Sequence, residues 1–296
     1  MRKRRTAGVV CTAMLAAALA TLALAGSASA KLTGEFKKFE QCPFSNLEVN
    51  RCINSLSSGG EVVLGSKKTP IVNAATLQGG YSKPVSGFSK FFAATNGITL
   101  SKAPQSVPGG LLGIVPPEKS PTLVKLLSKF FFENSLTGVN STLELAKPAS
   151  EIKISESNMG EAEGVALKLP VKVRLENPFL GKNCYVGSST SPMWWELTSG
   201  VTSPPGPNTP IEGAPGEVEF IEGGRILKLN NNKLVDNAWA APSAAGCGGI
   251  LSFLVNPIIN SQVGLPSAAG KNAAILKNTV YIATAAAVRK NNEENP

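Results

Sequence analysis

From Val165 to Leu175 every odd position is apolar, while Lys168, Lys172 and Arg174 take even positions. Side chains along a strand point alternately to its two faces, so this stretch predicts a half-buried strand with one wet face. Pro170 falls on the wet side and cannot donate to a ladder, which predicts an edge position or a bend. Residues 217–230 predict a hairpin: with Gly223-Gly224 in the turn, Val218 faces Leu229, Phe220 faces Leu227 and Glu219 faces Lys228. Opposite charges meet across the strands only in this register. Further strands are expected at 61–64, 70–77, 98–101, 139–146, 151–155, 193–198, 234–240 and 272–283, with a tight turn at Asn96-Gly97.

Helical spacing is confined to two segments. Ser120-Pro121 has the form of an N-cap followed by proline at the first helical position. In the following stretch, 122–134, Leu123, Val124, Leu126, Leu127, Phe130 and Phe131 share a face opposite Lys125 and Lys129. Such a face covers a core more often than it lies on a membrane. The second segment is 249–263, where Ile250, Leu254 and Ile258 align and Pro257 predicts a kink or a break. Segments 103–121 and 199–216 are rich in proline and glycine and read as long loops.

The pattern predicts a mainly β fold: an antiparallel sandwich or an open barrel with one or two covering helices. Residues 31–288 would form a single β-rich domain. The first long loop would set a small cystine-stapled N-terminal part, 31–102, apart from the main body. The polar tail 289–296 is expected to fray.

Composition changes this picture at the N-terminus. Arg2, Lys3, Arg4 and Arg5 precede an apolar run from Ala7 to Ala25, and Ala28-Ser29-Ala30 offers small residues where a signal peptidase needs them. A secretion signal, 1–30, cleaved after Ala30 is the expectation, with no integral membrane span left after cleavage. Its removal takes four of the 29 basic residues and none of the 20 acids, leaving a net charge of about +5. The remaining chain is secreted or associated with the cell surface. A mild positive surplus favours loose attraction to anionic envelope polymers; without a basic run it does not predict nucleic-acid binding.

Four cysteines remain, Cys42, Cys52, Cys184 and Cys247, an even number in an exported chain. Of the three pairings, Cys42–Cys52 and Cys184–Cys247 are preferred. No Cys-x-x-Cys and no histidine are present, so no metal site and no cofactor is expected.

The same lack of histidine removes the Ser-His-Asp triad and any imidazole base. Asp236 is the only aspartate; it reads as a turn cap and, at lower weight, as a binding group. Trp194, Trp195 and Trp239 are the only tryptophans and the remaining binding candidates, since flat rings give contact area at little entropic cost. Adjacent strand residues face opposite ways, so at most one of Trp194 and Trp195 belongs to the core. No catalytic residue is assigned.

Several phrases together resemble a group of uncharacterised secreted proteins of high-GC Gram-positive (actinobacterial) bacteria. They are Cys42-Pro43 with Cys52, Leu77-Gln78-Gly79-Gly80, Leu169-Pro170-Val171 running to Asn177-Pro178-Phe179-Leu180-Gly181, Cys184-Tyr185-Val186-Gly187-Ser188, Gly246-Cys247-Gly248-Gly249, and the stretch Gly264 to Gly270. The resemblance implies export and carries no catalytic residue over. The functional expectation is an exported, non-enzymatic protein that binds a cell-envelope polymer or an apolar small molecule. The alternatives are a secreted hydrolase built on paired glutamates and a surface protein that self-associates through β edges.

Overall fold

A computed structural model describes residues 31–112, 119–126 and 137–295. The expected leader and the second half of the expected helix 122–134 lie outside the described residues. In chain order the elements are β1 (Arg51–Leu64), β2 (Lys67–Pro70), β3 (Ala75–Tyr81), β4 (Ser89–Phe92), β5 (Gln105–Val107), β6 (Val139–Leu145), β7 (Lys153–Ile154), helix α1 (Glu156–Glu161), β8 (Leu167–Glu176), β9 (Tyr185–Val186), β10 (Met193–Leu197), β11 (Glu217–Ile221), β12 (Ile226–Asp236), β13 (Ala244–Ala245), helix α2 (Ser252–Val263), β14 (Ala273–Thr284) and helix α3 (Ala285–Glu294). The fold is mainly β: one antiparallel sheet that does not close on itself.

Its main path runs β11-β12-β14-β1-β3-β4-β7-β8-β6-β5, with β2, β9, β10 and β13 paired beside it. β4 is the joint. Tyr81 and Gly80 pair with one end of it and Ile154 and Lys153 with the other, so a four-residue strand links two half-sheets. Side chains from both halves meet in one core, from Ile53, Leu229 and Val280 to Leu169, Val186 and Trp195.

Two bulges set which residues face that core. β1 and β14 pair Ser57 with Asn278 and then Gly59 with Lys277, leaving Ser58 extra. An extra residue reverses the alternation. Ser55 and Ser57 therefore face inward before the bulge, and Val62 and Leu64 after it. Glycine is required just beyond: at Gly60 (φ 105°) a Cβ would stand 1.9 Å from the Ile275 carbonyl oxygen. A second register shift, between Leu229 and Asn232, does the same for β12. The buried amides at these bulges bond one another, Ser57 Oγ donating to Asn278 Oδ1 (2.6 Å) and Asn278 Nδ2 to Asn232 Oδ1 (3.2 Å).

A second, smaller core lies on the other face of the β12-β14-β1 half. Phe36, Phe39, Cys42, Cys52, Ile226 and Val288 are fully buried there, supplied by a 3-10 turn (Gly34–Phe39) and α3. The structure forms both preferred disulfides, Cys42–Cys52 inside this small core and Cys184–Cys247 across 63 residues of chain.

Several expectations change. Pro170 is not at an edge. Its neighbour strand switches at that point, from β7 opposite 167–168 to β6 opposite 171–176, and the Pro170 carbonyl accepts from Ala146 N–H on that side. The missing donor thus falls in the changeover, where no partner waits for it. The hairpin has the expected register, and Lys228 Nζ meets Glu219 at 3.0 Å. Its outer strand overhangs the core, however, so Val218 and Phe220 are exposed. Segment 98–101 makes only a bridge from Leu100 to Leu77, and 70–77 is split by residues 71–74.

The N-terminal part 31–102 does not stand apart, because β1 pairs along its length with β14 near the other end of the chain. The tail does not fray after 288 either. Thr284 caps α3 by accepting from Ala287 N–H, and Val288 and Asn291 are buried beneath it. Pro257 neither breaks nor ends α2, since it sits on the exposed side, where the carbonyl of Phe253 that it leaves unbonded can reach water. Among the described residues no helix is long and apolar enough to cross a membrane.

Candidate functional site

The large core is not filled. Between the half-sheets lies a cavity of about 130 Å³. An apolar cavity of that size takes up a guest as small as benzene; pockets for drug-sized ligands run from roughly 300 Å³ upward.

Its walls follow from strand alternation. The odd face of β8 supplies Leu167, Leu169, Val173 and Leu175, and its even face keeps Lys168, Lys172 and Arg174 outside. Those three cations find Glu196, Glu144 and Glu176 at 2.5, 3.4 and 3.3 Å. On the opposite wall, Leu234 and Leu276 project from β12 and β14. Hydroxyls and amides are fewer, and several are already bonded: Gln105 accepts from Val72 and Asn73 N–H and donates back to the Asn73 carbonyl. Among the described lining residues there is no aspartate or glutamate, and Lys67 is the one charged side chain.

Helix α2 closes one side with Ile259 and Val263, and its orientation inverts the expectation from spacing. Ile250, Leu254 and Ile258 were expected to align on a covering face; all three are exposed, Ile250 at 96 %. The inward stripe carries Asn256 and Asn260 instead. Asn256 Oδ1 accepts from Cys247 N–H at 2.9 Å, and Asn260 both accepts from Ala244 N–H and donates to the Ala244 carbonyl. Hydrogen bonds to the 244–247 backbone, together with the burial of Ile259 and the packing of Val255 and Val263, set which side of the helix faces in. The Cys184–Cys247 disulfide then ties that backbone to the β8–β9 region. Helical residues 122–126 leave Leu123, Val124 and Leu126 exposed; the rest of that predicted face is outside the described residues.

Three of the four sequence candidates come together. Trp195 is fully buried, opposite Leu169, and lines the cavity. Trp239 lies behind it with ring centroids 5.6 Å apart. Asp236 joins the two segments: one carboxylate oxygen accepts Glu196 N–H at 2.6 Å and the other Ala238 N–H at 2.9 Å. Burial pushes the Asp236 carboxyl above its ordinary range, and the two N–H donors oppose that shift. This geometry makes it the turn cap of the first reading, away from the cavity. Trp194 points to the outer face under Lys168, whose ammonium stands 5.2 Å from the ring centroid. Both buried indole N–H groups, of Trp195 and Trp239, find no acceptor among the described residues.

Sequence reading did not find Lys67, Thr69 or Asn272. Lys67 and Thr69 alternate inward on a four-residue strand too short to give a periodic signal. Asn272, fully buried, accepts from Gly65 N–H and donates to the Trp239 and Ala268 carbonyls, fixing the β1–β2 turn against the tryptophan segment. No protein-family model, no curated protein and no solved structure matches the chain.

Proposed function

We propose that this is an exported protein that binds an apolar small molecule between its half-sheets. The cavity carries this reading. Protein interiors normally close to crystal-like density, and apolar walls around a persistent void forgo dispersion contacts that an apolar guest would restore. Each Å² of guest surface removed from water contributes about 25 cal/mol. Export is supported by two disulfides and by the leader pattern. The envelope-polymer alternative has the mild positive surplus and Trp194 on the outer face to support it. Paired-glutamate hydrolysis has no carboxylate among the described cavity residues to start from.

The test is native mass spectrometry of the protein from its own culture medium, followed by titration with a neutral fluorescent apolar probe. A reproducible added mass, or saturable one-to-one probe binding that Val173→Phe abolishes while the fold persists, supports the reading. A clean apo mass with no saturable probe binding overturns it.

A further inference from the structure

Lys67 stands where β2 meets the last turn of α2. Ser66 N–H donates to the Val263 carbonyl and Ser66 Oγ to that of Gln262, which fixes the β1–β2 turn against the helix end. Strand alternation then sends Lys67 and Thr69 toward the cavity and Lys68 outward. Lys68 finds Glu61 at 2.8 Å. Lys67, half-buried, has neither an ion pair nor a hydrogen bond, and no carboxylate lines the cavity beside it among the described residues. Lys168 and Lys172, on the outer face of β8, pair with Glu196 and Glu144, and Lys102 also pairs with Glu144.

A cation left unmatched at the margin of an apolar chamber selects for charge as well as for apolar area. We propose that the ligand is an amphiphile with a hydrocarbon tail in the cavity and one anionic head group paired with Lys67, with the Thr69 hydroxyl beside it. The proposal rests on the cavity being a ligand site and adds the chemical class of the ligand. The ion pair forms at a half-buried site, where attraction exceeds that in bulk water and part of it is offset by desolvation. An affinity gain of about tenfold over an uncharged head is the expected size.

The full exported chain is titrated with hexanoate, hexanol and hexylammonium by displacement of the neutral probe. Hexanoate is expected to bind about tenfold tighter than hexanol, with hexylammonium weakest. Lys67→Met should bring hexanoate down to the hexanol level and leave hexanol unchanged, which also shows that the variant is folded; Lys67→Arg should keep the preference. Equal binding of hexanoate and hexanol by the wild type, or a preference that survives Lys67→Met, overturns the head-group assignment while apolar binding stands. If the probe and all three amphiphiles fail to bind, the cavity reading falls with it.

Discussion

The β12-β14-β1 half-sheet has two faces that are covered in different ways. Behind it, Phe36 and Phe39 from one 3-10 turn and Val288 from α3 are fully buried, and the Cys42–Cys52 disulfide lies among them. In front of it, strands of the other half-sheet approach without filling the space, and a helix held by asparagine side chains shuts one side. Short local elements can slide until their side chains fit. Two half-sheets joined at β4 and bonded along their ladders cannot, so a gap between them is set by backbone geometry. One face is built as a seal and the other as a container.

Substitutions should separate the two. Phe36→Ala, in the sealed layer, should cost about 3–5 kcal/mol in denaturant unfolding, while Leu143→Ala, on the already open cavity wall, should cost less than half of that. Comparable losses would mean that the cavity wall is as tightly packed as the back layer. Replacing both Cys184 and Cys247 by alanine should cost about 4 kcal/mol, against about 3 for the Cys42 and Cys52 pair, because the longer loop restricts the unfolded chain more. The reverse order would place the stabilisation in local packing rather than in chain entropy.

Asn260→Ala removes two bonds between α2 and the Ala244 backbone; a loss of about 1–2 kcal/mol is expected, together with faster amide exchange across α2. Exchange unchanged in α2 would show that apolar contacts alone hold it. Tyr81 tests the joint. Its hydroxyl donates to Glu156 at 2.8 Å, and burial first, then the Glu156 charge, holds the phenol well above its ordinary value. An unfolded tyrosine ionises near pH 10, so this contribution is complete below about pH 10 and is lost as pH rises beyond it. Tyr81→Phe should cost about 1 kcal/mol at pH 7 and flatten the alkaline fall in stability. Phe253→Ser, on the exposed side of α2, should change stability by less than about 0.5 kcal/mol.

Strands whose alternation survives over many residues were legible in advance. β8 and the β11–β12 hairpin appear with the expected faces or register because each is decided by neighbours close in sequence or by a long periodic run. That the four cysteines pair was legible from their even count and the expected export; which of the three pairings forms is decided by the fold. The candidate site was half legible: Trp195 was named, but its position on a cavity wall depends on β10 pairing with β8 while β12 approaches from the other half-sheet. Lys67 carried no signal, since a lysine in a four-residue strand looks like any solvated charge.

By itself the sequence determined a β protein with an export-type leader pattern and no histidine chemistry, because composition and period-two alternation are properties of the chain before it folds. Tertiary structure decided what lies inside. Bulges at Ser58 and near Asn231 chose which half of each long strand faces the core, and asparagine-to-backbone bonds together with the burial of Ile259 turned α2 so that Leu254 and Ile258 face out. The gap between two half-sheets belongs to neither strand set alone, since an unfilled volume is fixed only when distant backbones are held at a set distance.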